Sequence, residues 1–130
     1  MTDIATQPAR LGTPDGLPAE ILHYIGGRHL PSRSGRTFAD LDPVSNQPYA
    51  DVAAGDDRDV AAAVEAATTA FRDGPWPRML PRARARVLHG IADEIDARDE
   101  LIAAFEAWDT GLPISQARGQ AHRAAENFRF

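Results

Sequence analysis

Residues 108–113 read WDTGLP, and within them lies Asp109-Thr110-Gly111. An aspartate in that triplet is the kind that shares a proton with a twin carboxylate to cut peptides. The chemistry requires the aspartate on a loop leaving a β-strand, so that two such loops can meet. Here about 25 residues of helical period precede Asp109, and Gly111 followed by Pro113 reads as a helix stop. The triplet is therefore expected to end a helix. Other chemistries find less support. His23, His29, His89 and His122 have no pair at the i, i+4 spacing of a helical metal site. The chain has no cysteine, which excludes a disulfide, a thiolate metal site and a cysteine nucleophile within it. No G-x-S-x-G elbow and no phosphate-cradling glycine loop is present. Gly26-Gly27 is too short for such a loop and reads as a turn. No catalytic or cofactor-binding residue is expected among these 130 residues.

Composition fits one folded domain. The chain is 43% hydrophobic and 25% charged, with a net charge of -5. An acidic balance argues against a nucleic-acid surface. All 14 basic residues are arginine. The densest basic run, RARAR at 82–86, is followed by the acidic DEIDARDE at 93–100, so it reads as a solvated helix face. No apolar run approaches the roughly 20 residues that span a bilayer. The N-terminus lacks the layout of a secretory signal, and a cytoplasmic location is expected.

Residues 1–19, rich in proline and glycine, read as a flexible leader, and residues 20–130 as the folded part. The expected class is α/β: a small β-meander followed by three helices. ILHYIGGRHL places two short strands about Gly26-Gly27. TFADLDP and YADVAAG supply further strands over residues 21–55. Asp56 or Asp57 can cap a first helix, whose apolar face is Val60, Val64, Ala67 and Phe71, ending at Gly74-Pro75. A second, long helix runs from Pro81 to Trp108. A third begins near Pro113, with Ile114, Ala117, Ala121, Ala124 and Phe128 on one face. AENFRF closes with two phenylalanines and no stop signal, so the segment is expected to continue, and the Ile114–Phe128 face is expected to need a missing sheet.

Several stretches together resemble the opening of NAD(P)-dependent aldehyde dehydrogenases. They are TFADLDP, VAAG, the helix DVAAAVEAATTAF, the helix end EAWDTGLPI, and RAAENFRF. Their order and spacing agree over roughly residues 22–130. The combination of DTGLPI with RAAENFRF is similar to the branch acting on hydroxymuconate-type semialdehydes of aromatic catabolism, such as 5-carboxymethyl-2-hydroxymuconate semialdehyde. The resemblance implies the start of a Rossmann-like cofactor domain, truncated at Phe130. It also implies a longer homo-oligomeric oxidoreductase that uses NAD or NADP to turn a small-molecule aldehyde into an acid. In that family a cysteine attacks the aldehyde, a hydride passes to the cofactor, and a glutamate assists hydrolysis of the thioester. Neither that cysteine nor the cofactor loop is found here, so the isolated chain is expected to be inactive. The resemblance further implies a monovalent cation held by Asp40, the Leu41 carbonyl and Asp109; hard oxygen donors suit such an ion. No nucleic-acid or membrane partner is expected. The alternative is a complete small non-catalytic αβ interaction module.

Overall fold

A computed structural model describes residues 14–130. Of the expected leader, residues 1–13 lie outside the described residues. The first strands follow from turn chemistry. Gly26 and Gly27 have φ of 60° and 78°, which most other residues adopt only with strain. They join β2 (His23–Ile25) to β3 (Arg28–Leu30) as an antiparallel hairpin. The rings of Tyr24 and His29 lie 5.0 Å apart across it.

The remaining strands form a second sheet. β4 (Thr37–Leu41) pairs antiparallel with β5 (Pro48–Ala53), with a bulge between Asp40 and Leu41. The other edge of β5 is taken by β1 (Glu20–Ile21), which runs parallel to it. The strand order is β1-β5-β4. The expected continuous meander is thus two sheets. The chain leaves β3 through Ser32–Arg36, which is tied to the first helix and diverted from β2 and β3. The turn between β4 and β5 is built on buried Asp42, whose carboxylate accepts from the Val44 and Ser45 N–H groups at 3.1 and 2.9 Å. Asn46 supplies the left-handed residue there, with φ 56°.

α1 (Asp57–Asp73) begins as expected, with Asp56 as N-cap. Asp56 accepts from the Asp59 N–H, and Asp59 accepts from the Asp56 N–H, a reciprocal box that satisfies two orphan donors. Gly74 closes the helix; a side chain there would collide with the Ala70 carbonyl. A 3₁₀ turn, Trp76–Arg78, follows, and Arg78 donates to the Asp73 carbonyl at 2.8 Å. The apolar face of α1 is not the side it turns to the rest of the chain. Val60, Val64 and Phe71 are 61%, 59% and 75% exposed. The helix buries Asp59 and half-buries Ala62 and Ala66 instead, with Ala66 beside the Gly26 turn. Periodicity located the stripe; it did not say which side is covered.

The expected long helix is two: α2 (Pro81–Asp96) and α3 (Asp99–Thr110). The apolar stripe runs through the break, and charge explains it. Asp93, Glu94 and Asp96 crowd the negative end of α2, whereas Asp99 and Glu100 suit the positive start of a new helix. Arg98 sits at the junction and donates to the Glu94 carbonyl at 3.2 Å.

α4 (Ile114–Arg129) packs on both α2 and α3. Ala117, Ala121 and Ala125 recur every four residues and are buried, as are Ala92 of α2 and Ala103 of α3. Small side chains let three helices approach closely. Along the Ile114–Phe128 face, α2 and α3 cover Ala117 and Ala121; Ala125 rather than Ala124 is the buried member, and Phe128 stays exposed. Arg118 grips Glu100 of α3 through two bonds of 2.8 and 2.9 Å. Arg129 reaches Asp93 and Asp96 of α2. Among the described residues every buried apolar side chain is alanine.

Candidate functional site

Asp109 and Thr110 are the last residues of α3, and Gly111 is its left-handed cap with φ 74°. The Gly111 N–H donates to the Ala107 carbonyl at 3.1 Å. Thr110 bonds backwards to the Glu106 carbonyl at 2.7 Å and accepts from the Leu112 N–H at 3.2 Å. A side chain on Gly111 would meet the Pro43 ring at 3.3 Å, so the helix end seats on the β4–β5 turn. The triplet is a helix terminus, as the glycine and proline spacing predicts. A proteolytic aspartate would need a strand before it, and there is none.

That docking brings two of the three expected cation-site residues together. Asp40 lies near the end of β4, and Asp109 comes from α3. Tyr49 of β5 stands between them: its Oη is 2.8 Å from Asp40 Oδ2 and 2.6 Å from Asp109 Oδ1. Burial, and then the bonds to the two carboxylates, push the Tyr49 phenol above its ordinary value. A phenol carries one proton and can donate to one carboxylate at a time. The second contact therefore sets two oxygens face to face with no proton of the phenol between them. Leu41 follows Asp40 across the bulge. Tyr49 was missed in the sequence, where YADVAAG offered only a strand pattern. Its place becomes visible once β4 and β5 are in register, because Tyr49 is the β5 residue left unpaired where the register shifts between Asp40 and Leu41.

A second polar cluster ties the hairpin to α1. Asp59 is buried and accepts from Ser32 Oγ at 2.9 Å, the Arg33 N–H at 3.1 Å and the Asp56 N–H at 3.0 Å. The Asp56 N–H first, and the Arg33 and Ser32 donors after it, hold the Asp59 carboxyl below its usual range. His23 Nε2 is 3.8 Å from Asp59 Oδ2, beyond a hydrogen bond. This cluster is structural: every bond in it closes a loop or caps a helix. Beside it, a shallow opening of about 490 Å³ is lined by Arg36, Gly55, Asp56, Asp57 and Arg58. Asp56 already caps the helix end there. The described residues contain no group of three or more histidine or acidic side chains placed to hold a metal. None of the described helices is long and apolar enough to cross a membrane.

Comparisons with known proteins agree with the resemblance read from the residues. The model of the Aldehyde dehydrogenase family matches residues 29–130. Aldehyde dehydrogenase family 2 member B4, mitochondrial, of Arabidopsis thaliana is 40% identical over 118 residues, covering 83% of this chain and 22% of the relative. The 2-hydroxymuconic semialdehyde dehydrogenase of Pseudomonas sp. (strain CF600) is 45% identical over 111 residues, covering 85% of this chain and 23% of the relative. The crystal structure of an NAD-dependent aldehyde dehydrogenase from Sinorhizobium meliloti superposes with a TM-score of 0.81 at 31% identity, covering 90% of this chain and 25% of that one. The chain thus spans about a fifth to a quarter of the length of the proteins it matches. Its small sheets and four helices correspond to the N-terminal region of such structures. The match does not favour a free-standing interaction module. With residues 29–130 covered by the family model, the chain belongs to the aldehyde dehydrogenase family.

Proposed function

We propose that residues 20–130 are the N-terminal part of the cofactor-binding domain of an enzyme that oxidises an aldehyde to a carboxylic acid with NAD or NADP. The family match carries this reading. The 45% identity to a 2-hydroxymuconic semialdehyde dehydrogenase supports a semialdehyde from aromatic catabolism as the substrate class. When bound, the nicotinamide would accept the hydride. This chain contributes scaffold to that reaction: it has no cysteine to attack the aldehyde. On this reading the 130 residues alone do not turn over, and the complete enzyme is a cytoplasmic homo-oligomer.

The test is a chimera. Residues 20–130 replace the matching segment of the Pseudomonas semialdehyde dehydrogenase, and NADH formation is followed with a semialdehyde. The chimera is expected to oxidise it, and the isolated chain is not. A folded but inactive chimera, or NAD reduction by the isolated chain, would sink the reading.

A monovalent cation at Asp40, Leu41 and Asp109 is proposed with it. The face-to-face oxygens around Tyr49 support it, since a cation between them would relieve the contact that a single phenol proton leaves unmet. Asp40, the Leu41 carbonyl and Asp109 would hold the ion, which would clamp the end of α3 to the sheet.

A further inference from the structure

We propose that His23 and Asp59 form a proton-operated latch, which fastens the β2–β3 hairpin to the start of α1 when the imidazole is charged and slackens when it is neutral. The latch is independent of the activity proposed above. It starts from an unmet polar atom. His23 Nε2 is closed off from solvent and makes no hydrogen bond among the described residues. It lies 3.8 Å from Asp59 Oδ2, too far to bond, yet near enough for a small shift of the ring to close the gap. A buried polar atom without a partner destabilises a fold, and that loss is recovered in any state that supplies one.

Both side chains are held ready for that state. Gly55 backs the imidazole: a Cβ there would lie 3.3 Å from His23 Cε1 and 3.5 Å from Nε2. Asp59 is fixed by Ser32 Oγ and by the Arg33 and Asp56 N–H groups, and its side chain is only 6% exposed. A carboxylate has about four acceptor sites, so these three donors leave room for another. The same donors keep Asp59 charged while a histidine gains its proton, because they hold its carboxyl below the usual range. Neutral imidazole carries one N–H, whereas the protonated ring carries one on each nitrogen and a charge besides. Protonated His23 therefore turns the gap into a charge-assisted hydrogen bond, in a place that salt screens little. The His23 side chain is still 22% exposed, which leaves the ring open to proton exchange.

The surroundings single out this pair. On α1, Asp59 faces the ring, and neighbouring Asp56 is bound to Arg58 at 2.8 Å. On the segment after β3, Arg33 brings its N–H to Asp59, and Arg36 lines the adjoining opening. Across the hairpin His23 pairs with Leu30, while Arg28 and His29 stand further along β3. Asp59 is the one acidic side chain paired with His23 among the described residues. The other three histidines, His29, His89 and His122, are exposed.

The experiment is a double-mutant cycle on the 130-residue chain, with thermal melts of wild type, His23→Gln, Asp59→Asn and the double variant at about pH 5.5 and about pH 8. A histidine that gains a carboxylate partner on folding adds stability on the acid side of its titration and loses it as pH rises. His23→Gln should therefore lower Tm by at least about 3 °C at the acid pH and by much less at the basic one. With Asp59→Asn already present, His23→Gln should have the same small effect at both. His122→Gln should show no pH-dependent difference. A second reading needs no variant: in NMR spectra of wild type, the Arg33 and Asp56 amide signals should move together with the His23 ring signals across that pH range. An effect of His23→Gln that is equal at both pH values, one that survives in the Asp59→Asn background, or amide signals that stay still while the ring titrates would each overturn the latch.

Discussion

Tyr49 Oη and Asp109 Oδ1 lie 2.6 Å apart although 60 residues separate them in the chain. The contact joins the middle of the small sheet to the last turn of α3. It also places Asp109 within reach of the oxygen that Asp40 approaches from the other side. This arrangement makes a cation response measurable. Sodium or potassium should raise the Tm of the chain relative to tetramethylammonium at equal ionic strength. An ion at ten times its Kd adds about 1.4 kcal/mol. Asp40→Asn and Asp109→Asn should each abolish the difference. An equal response from wild type and both variants in scanning calorimetry would remove the cation from consideration.

Gly111 and Gly119 differ in what they can accept. Gly111 holds φ 74° with Pro43 at 3.3 Å from a would-be Cβ, whereas Gly119 lies inside α4 with open space around it. Gly111→Ala should destabilise by about 1–2 kcal/mol from the left-handed backbone alone, with the Pro43 contact adding to it. Gly119→Ala should stabilise by about 0.5–1 kcal/mol. Urea midpoints with unchanged m-values would report both. Opposite signs are required; a neutral Gly111→Ala would mean that the helix end is not seated on the turn.

These local features were legible in the sequence because they act over a few residues. Gly26-Gly27 and Gly111 announce a turn and a stop through left-handed backbone that other residues take with difficulty, and Asp56 announces a cap through a side chain that accepts helix N–H groups. The parallel pairing of β1 with β5 had no such signal, since it joins segments some 30 residues apart through backbone groups alone. The break at Ala97-Arg98 was hidden because Ile91, Ile95, Ile102 and Phe105 keep a helical period across it. The apolar face of α1 is legible as a stripe, but periodicity is the same whichever partner covers it. The roles expected of Asp40 and Asp109 came from family resemblance. The involvement of Tyr49 required the folded register.

The alanine seam of α4 sets a packing limit. Ala117 and Ala125 are 0% exposed and Ala121 2%, between α2 and α3. Ala121→Leu inserts three heavy atoms where no void is available, and overpacking of that kind costs about 1–3 kcal/mol. Ala124→Leu, one position off the seam and half-buried, should cost less. Equilibrium urea unfolding separates the two. Equal losses would show that α4 is not gripped along the seam described above.

The Asp59 cluster predicts how the chain responds to acid. Its carboxyl is held below the ordinary aspartate range by N–H groups of Asp56 and Arg33 and by Ser32 Oγ. A depressed carboxyl contributes stability that is fully present above the unfolded value, and that contribution is lost as pH falls through the lower folded value. Asp56 is shifted in the same direction, first by its bond to Arg58. Stability should therefore be flat in this respect near neutrality and fall below about pH 3.8, the value both groups start from. Asp59→Asn keeps the shape but loses the charge and one set of acceptor lone pairs. It should lower Tm at pH 7 and flatten the acid limb. Thermal melts of wild type and variant between neutral and strongly acid pH test this. The account fails if the two melting curves shift in parallel as pH falls, because the acid sensitivity would then reside outside this cluster.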